Sequence, residues 1–131
     1  PDSYFKVLST LKKLLKNQNK MHVLFGCGGN RDSKNRNQMG KIAADFSDKI
    51  WITPDNPRYE NIEKINSEIL EGIDKNKYNI FNDRKNGLEK AIAKINRDDI
   101  LVIFGKGREN YQDINGIKIK YSDIEIIEKY L

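Results

Sequence analysis

Short apolar strands alternating with amphipathic helices predict an α/β fold, a three-layer sandwich on a mostly parallel sheet with an antiparallel edge or hairpin near the carboxyl end. Three observations carry this. Apolar runs of strand length recur at Met21–Phe25, Lys49–Thr53 and Ile100–Phe104. Segments with apolar residues at helical spacing lie between them. Asn115-Gly116 joins two short runs, the second alternating in period two, as a hairpin turn does.

In chain order, Asp2 and Ser3 can cap a helix over about 3–17, with Phe5, Leu8, Leu11 and Leu15 on one face, ended by Asn17-Gln-Asn19. Met21–Phe25 is then a buried strand closed by Gly26. A polar loop follows through Asn37, with a helix over about 38–47. After the strand Lys49–Thr53, residues Ile62, Ile65, Ile69, Leu70 and Ile73 mark a third helix ended near Gly72. Tyr78–Phe81 is a short strand, and Asp83 caps a fourth helix with Leu88, Ala91, Ile92 and Ile95 inward. Ile100–Phe104, the most strand-like segment, is expected at the centre of the sheet. The hairpin and a last helix capped by Ser122-Asp123 complete the chain, which holds no internal repeat or linker.

With 131 residues, 37% hydrophobic and 33% charged, the composition suits one soluble domain able to bury about two thirds of its unfolded surface. No apolar run approaches membrane-spanning length. The formal charge of +5 is spread among acids, as in Glu63-Lys64 and Glu89-Lys90, which argues against nucleic acid as a partner. Cys27 is the only cysteine and His22 the only histidine, so neither an internal disulfide nor a zinc site is expected. His22, opening a strand, suggests a surface or edge role. No signal peptide is visible, and a cytoplasmic location is expected. The start at Pro1-Asp2, without Met, suggests a piece cut from a longer protein.

Ligands of such sheets bind beyond the carboxyl ends of the strands. Three polar loops belong there: Gly26-Cys-Gly-Gly-Asn-Arg-Asp32, Pro54-Asp-Asn-Pro-Arg58 and Gly105-Lys-Gly-Arg-Glu-Asn-Tyr-Gln112. The first fits only part of a dinucleotide fingerprint, because Arg31 stands where the third glycine belongs, and the chain has no phosphate loop. Arg31 and Arg58 can hold carboxylates through paired hydrogen bonds, and Asp55 and Glu109 can hold ammonium groups. That set complements a small zwitterion, most naturally an amino acid with charges at both ends. The plainer alternative makes Arg31–Asp32 and Asp55–Arg58 local ion pairs on stiff turns. Pro54 and Pro57 restrict the loop between them, which reduces the entropy lost on docking.

Taken in order, Pro1-Asp2, "FGCGGNRD" at 25–32, "MGKIAADFSDKIWIT" at 39–53, "DNPR" at 55–58, "DR" at 83–84 and "FGKGRENYQ" at 104–112 resemble the C-terminal domain of the Mur ligases, in particular the tripeptide-synthetase branch. The resemblance implies a Rossmann-like domain that binds the incoming amino acid in a three-domain, ATP- and Mg2+-dependent peptide ligase of peptidoglycan synthesis, hence of cell-wall growth, shape and division. It implies that the nucleotide and metal are bound mainly by a central domain, so that this chain has no catalytic residue of its own and is inactive alone. The partners implied are the other two domains, UDP-MurNAc-L-Ala-D-Glu and a diamino acid, whose amine attacks an acyl phosphate on D-glutamate.

By the same resemblance Arg31, Asp55, Asn56, Arg58, Gly105 and Glu109 match positions that bind the diamino acid. Lysine-adding members lack the arginine at 58, which points to meso-diaminopimelate, with a thioether analogue such as lanthionine left open. The chain departs from the family pattern at Arg108, where histidine is usual, and at Asn35-Arg-Asn-Gln-Met-Gly40, where K-R-P-x-M-G is common. A stand-alone nucleotide-binding or regulatory module is the alternative, and a basic scaffold for other macromolecules the third choice.

Overall fold

The computed structural model describes residues 2–30, 34–74 and 77–131. Its elements run α1 (Asp2–Leu14), β1 (Met21–Phe25), α2 (Lys34–Phe46), β2 (Lys49–Ile52), α3 (Ile62–Leu70), β3 (Tyr78–Ile80), α4 (Arg84–Lys94), β4 (Ile100–Ile103), β5 (Tyr111–Ile114), β6 (Ile117–Lys120) and α5 (Asp123–Glu128).

The first four strands form one parallel sheet in the order β3-β2-β1-β4, while β5 and β6 pair antiparallel as a separate two-stranded sheet. The tail is thus a hairpin of its own and adds no edge to the main sheet. β1 is buried along its whole length, and its side chains alternate between two cores. Met21, Val23 and Phe25 pack with Ile50 and Ile52 under Leu8 of α1, Ala43 and Ala44 of α2, and Ile65 and Ile69 of α3. Leu24 and Trp51 face the other way, under Leu88 and Ala91 of α4 and Ile126 of α5. Helices cover both faces, as the continuous apolar runs require.

Two sequence expectations change here. Among the described residues Ile100–Ile103 pairs with β1 alone and is an edge strand, not the centre of the sheet. Burial of both faces produces an apolar run wherever a strand sits in the sheet, so such a run cannot rank neighbours. His22 is buried at 4% exposure, not superficial. Its Nδ1 accepts from Trp51 Nε1 at 3.2 Å, so the neutral ring's own hydrogen is on Nε2, which faces Asp99 Oδ2 at 3.6 Å. Burial, more than the opposing pull of Asp99, sets its pKa below the ordinary value.

Boundaries shift less. α1 ends at Leu14, and α2 begins at Lys34, four residues before its apolar periodicity starts. That first turn is held by polar contacts of the buried Arg36, which hydrophobic spacing does not register.

The strand order positions the site. The chain steps outward from β1 to β2 and β3, then returns to β1's other side as β4, so the topological switch falls at β1. In a parallel sheet of this kind the crevice opens at that point, beyond the carboxyl ends.

Candidate functional site

The loop after β2 is the centre of the crevice. Gly29 of the loop after β1 donates its amide to the Asn56 carbonyl at 2.8 Å, and a Cβ on Gly29 would stand 1.7 Å from the Pro57 carbonyl oxygen. The glycine is therefore required by close backbone approach between the two loops. Asn30 donates its amide to Glu60 Oε1 at 2.7 Å. The Gly29 and Asn30 amides that could have cradled a phosphate are thus already engaged within the protein, so these two groups do not form a nucleotide cradle.

Arg58 has a left-handed backbone, φ 53°. Its amide donates to the Asp113 carbonyl at 2.9 Å and its carbonyl accepts from Asn115 N at 2.7 Å, a parallel bridge that fastens the loop to β5. Pro57 fixes the angle just before it. The guanidinium is half-buried: Nη1 donates to the carbonyls of Gly29 at 3.0 Å and, more loosely, Asn56 at 3.4 Å. Nε and Nη2 make no hydrogen bond among the described residues. Arg58 therefore has a fixed base and an available fork. Asp55 and Arg58 are not paired with each other.

Asp55 pairs instead with Lys106, Nζ to Oδ1 at 3.0 Å. Lys106 Nζ also lies 3.2 Å from Glu109 Oε1 and donates to Asn56 Oδ1. Asn56, 5% exposed, further accepts from Asp113 N at 2.9 Å and donates Nδ2 to Glu109 Oε1 at 3.3 Å. Gly105 approaches from the loop after β4; its φ is +112°, and a Cβ there would stand 2.9 Å from Asp55 Oδ2. The structure brings Asp55, Asn56, Arg58, Gly105 and Glu109 into one continuous network. Arg31 lies outside the described residues. Two clefts flank the loop after β2. One of about 530 Å3 includes Arg58, and one of about 190 Å3 includes Asp55, Gly26 and Gly28.

Sequence reasoning missed the groups that hold this network. Lys106 reads in the sequence as one more residue of a polar loop, yet its side chain is 0% exposed. Arg84, also 0% exposed, grips Asp123 at 2.9 and 2.7 Å and donates to the carbonyls of Pro54 at 3.4 Å and Phe104 at 3.0 Å, joining the bases of two site loops. Arg36 ties Gly28 at 3.0 Å to Glu60 and Glu68 at 2.8 Å. Its hydrogen bonds hold the Glu60 carboxyl down at about 2, well below the usual range. Gln112 donates to the Pro54 and Asp55 carbonyls at 3.2 and 3.0 Å. The available signal was the placing of charged residues beside glycines and strand ends, where a solvated loop would serve equally well. Cys27 is buried, which raises its thiol to about 12 and disfavours the thiolate.

Residues 1–107 match the family described as Mur ligase, glutamate ligase domain. The chain belongs to this Mur ligase domain family. Among curated Mur ligase relatives, the UDP-N-acetylmuramoyl-L-alanyl-D-glutamate--2,6-diaminopimelate ligase of Rickettsia typhi is 43% identical over 131 residues, all of this chain and 27% of the relative. The enzyme of the same description from Aquifex aeolicus is 45% identical over 132 residues, again all of this chain and 27% of the relative. A solved structure of a ligase with that description superposes with a TM-score of 0.91 at 36% identity, over 98% of this chain and 26% of the other. This Mur ligase domain therefore spans about a quarter of the length of the relatives it matches. The α/β architecture expected from the sequence is shared with them.

Proposed function

We propose that this chain is the amino-acid-binding domain of a ligase of peptidoglycan synthesis that joins meso-diaminopimelate to the D-glutamate of UDP-N-acetylmuramoyl-L-alanyl-D-glutamate; the names of its relatives carry that acceptor and 2,6-diaminopimelate. One observation carries the proposal: an arginine fork and a glutamate oxygen that have no partner among the described residues stand on different loops, joined through a single buried asparagine. Arg58 suits the distal carboxylate of the diamino acid and Glu109 its distal ammonium. Arg31 is proposed as a second carboxylate partner.

ATP would supply activation of the glutamate carboxyl. The residues present do not fit a seat for Mg-ATP: the sequence has no phosphate loop, the Gly29 and Asn30 amides are engaged, and no group of three acidic, His or Cys side chains suited to a metal occurs among the described residues. The part of this chain is to bind and orient. Holding an amine at attacking distance removes much of the entropic barrier to amide formation. Further domains would provide the nucleotide and metal contacts and the uridine site. No described helix is long and apolar enough to cross a membrane; from the lone cysteine and the absence of a visible signal peptide we place the protein in the cytoplasm.

The arginine also supports selectivity. Lysine would offer Arg58 no distal carboxylate, and an unpaired charge in a closed site disfavours binding by on the order of a hundredfold. In the full-length enzyme, Arg58→Ala is expected to lower kcat/KM for diaminopimelate by at least that factor and to narrow its preference over lysine. Unchanged kinetics for both amino acids would remove the basis for the assignment.

A further inference from the structure

Lys106 is a buried cation of the network to which the proposed function gives no task. It is presented by an unusual turn: Gly105 and Gly107 on either side both have positive φ, 112° and 51°, and Glu109 N donates back to the Lys106 carbonyl at 2.8 Å. The turn directs the lysine inward and brings Glu109 over it. An ammonium has three hydrogens, and three acceptors surround this one, namely Asp55 Oδ1, Asn56 Oδ1 and Glu109 Oε1. None is left for a ligand, and the side chain is 0% exposed.

The other side of the network is equally definite. Glu109 Oε1 takes both Lys106 and Asn56 Nδ2, whereas Oε2 accepts no hydrogen bond among the described residues, and the side chain is 40% exposed. One oxygen is anchored and the other has no described partner. Two carboxylates, Asp55 and Glu109, face one buried cation, so the cluster presents a single net negative charge. Without the cation the two acids would repel each other, and Glu109 would lose its stronger anchor.

We propose that Lys106 is the positioning residue for the distal ammonium: it anchors Glu109 through Oε1, offsets one of the two carboxylates, and leaves Glu109 Oε2 as the acceptor for the ligand's amine. The proposal rests on the site's being a diamino-acid site, and deepens it. Lys106 acts through Glu109 and touches no substrate.

The test is steady-state kinetics of the full-length enzyme, with diaminopimelate and ATP varied separately, for Lys106→Met, Lys106→Arg, Glu109→Gln and the double variant. Lys106→Met is expected to raise KM for diaminopimelate by about tenfold or more, the effect of a lost charged hydrogen bond, while KM for ATP is unchanged. Discrimination against 2-aminopimelate, which lacks the distal amine, should fall with it. Lys106→Arg should recover part of both. In the Glu109→Gln background the further change Lys106→Met should alter KM by less than about threefold, because the two groups act as one unit. This background removes one of the carboxylates that Lys106 faces, and so keeps the test open if Lys106→Met alone does not melt cooperatively. Additive effects in the cycle, or discrimination that survives Lys106→Met, would overturn the proposal. A wild-type enzyme that ligates no diamino acid is a different result, one that refutes the proposed function itself.

Discussion

Gly105 shows how one missing side chain can control a charged site. Its φ of +112° is a conformation that side-chain-bearing residues rarely adopt, and the space where a Cβ would lie is bounded by Asp55 Oδ2 at 2.9 Å. Gly105→Ala therefore strains the backbone and pushes against the carboxylate that Lys106 holds. The expected result is a loss of about 1–3 kcal/mol in unfolding free energy, together with weaker diaminopimelate binding. Chemical denaturation measures the first and KM the second; a variant with wild-type stability and KM would show that the loop yields without effect. At this scale the residue types were legible in the sequence, but their partners were not. Asp55 and Arg58 lie three positions apart and invite pairing, yet Asp55 pairs with Lys106 across 51 positions, because the fold brings the loop after β4 over the loop after β2.

At the scale of elements, the site depends on how β2, β4 and α4 are tied at their ends. Arg84, in the first turn of α4, holds the carbonyls of Pro54 and Phe104 while Asp123 of α5 holds its guanidinium in two hydrogen bonds. Tyr121 donates to the same carboxylate at 2.5 Å. Removing one partner from a buried pair leaves an uncompensated charge, so Arg84→Met is expected to destabilise by about 3–5 kcal/mol, whereas adding Asp123→Asn should restore a substantial part. Thermal melting of the two variants checks this, and a double variant no more stable than the single one would contradict it. Periodicity and capping residues made nearly every element legible, including the Asp83 and Ser122 caps, whose side chains accept from Asn86 N and Glu125 N. The first turn of α2 was not legible, because a buried arginine holds it and no apolar stripe runs through it. The place of β4 at the edge was equally hidden, since hydrophobicity reports covered faces and not covered edges.

For the whole molecule, acid should act in two stages. His22 has a folded pKa below its ordinary value of 6.5, chiefly through burial, so the unfolded chain takes up that proton first. Its neutral form contributes stability that is present at and above neutrality and lost as pH falls below 6.5. Glu60 is lowered from 4.5 to about 2, chiefly by its hydrogen bond to Arg36, and its contribution is lost between those values as pH falls. The melting temperature is expected to be level from ~pH 7 to ~pH 8, to decline first through the histidine window as pH falls, and to drop again below ~pH 4.5. A curve flat from ~pH 7 to ~pH 5 would be inconsistent with a buried neutral His22.

The residue string alone specified the α/β class, the positions of the strands and most helices, and the three polar loops that follow β1, β2 and β4, because each follows from local spacing, capping and turn chemistry. It also supplied the ordered motifs that mark the family. Three-dimensional packing settled the rest: which strand lies at the edge, that His22 is interior, that Gly29 and Gly105 serve loop-to-loop contact, and that Lys106, Arg84 and Arg36 tie the loops together. The physical reason is range: hydrophobic period and backbone propensity act over a few residues, whereas the pairing of buried charges is settled by groups that meet only after the sheet has formed.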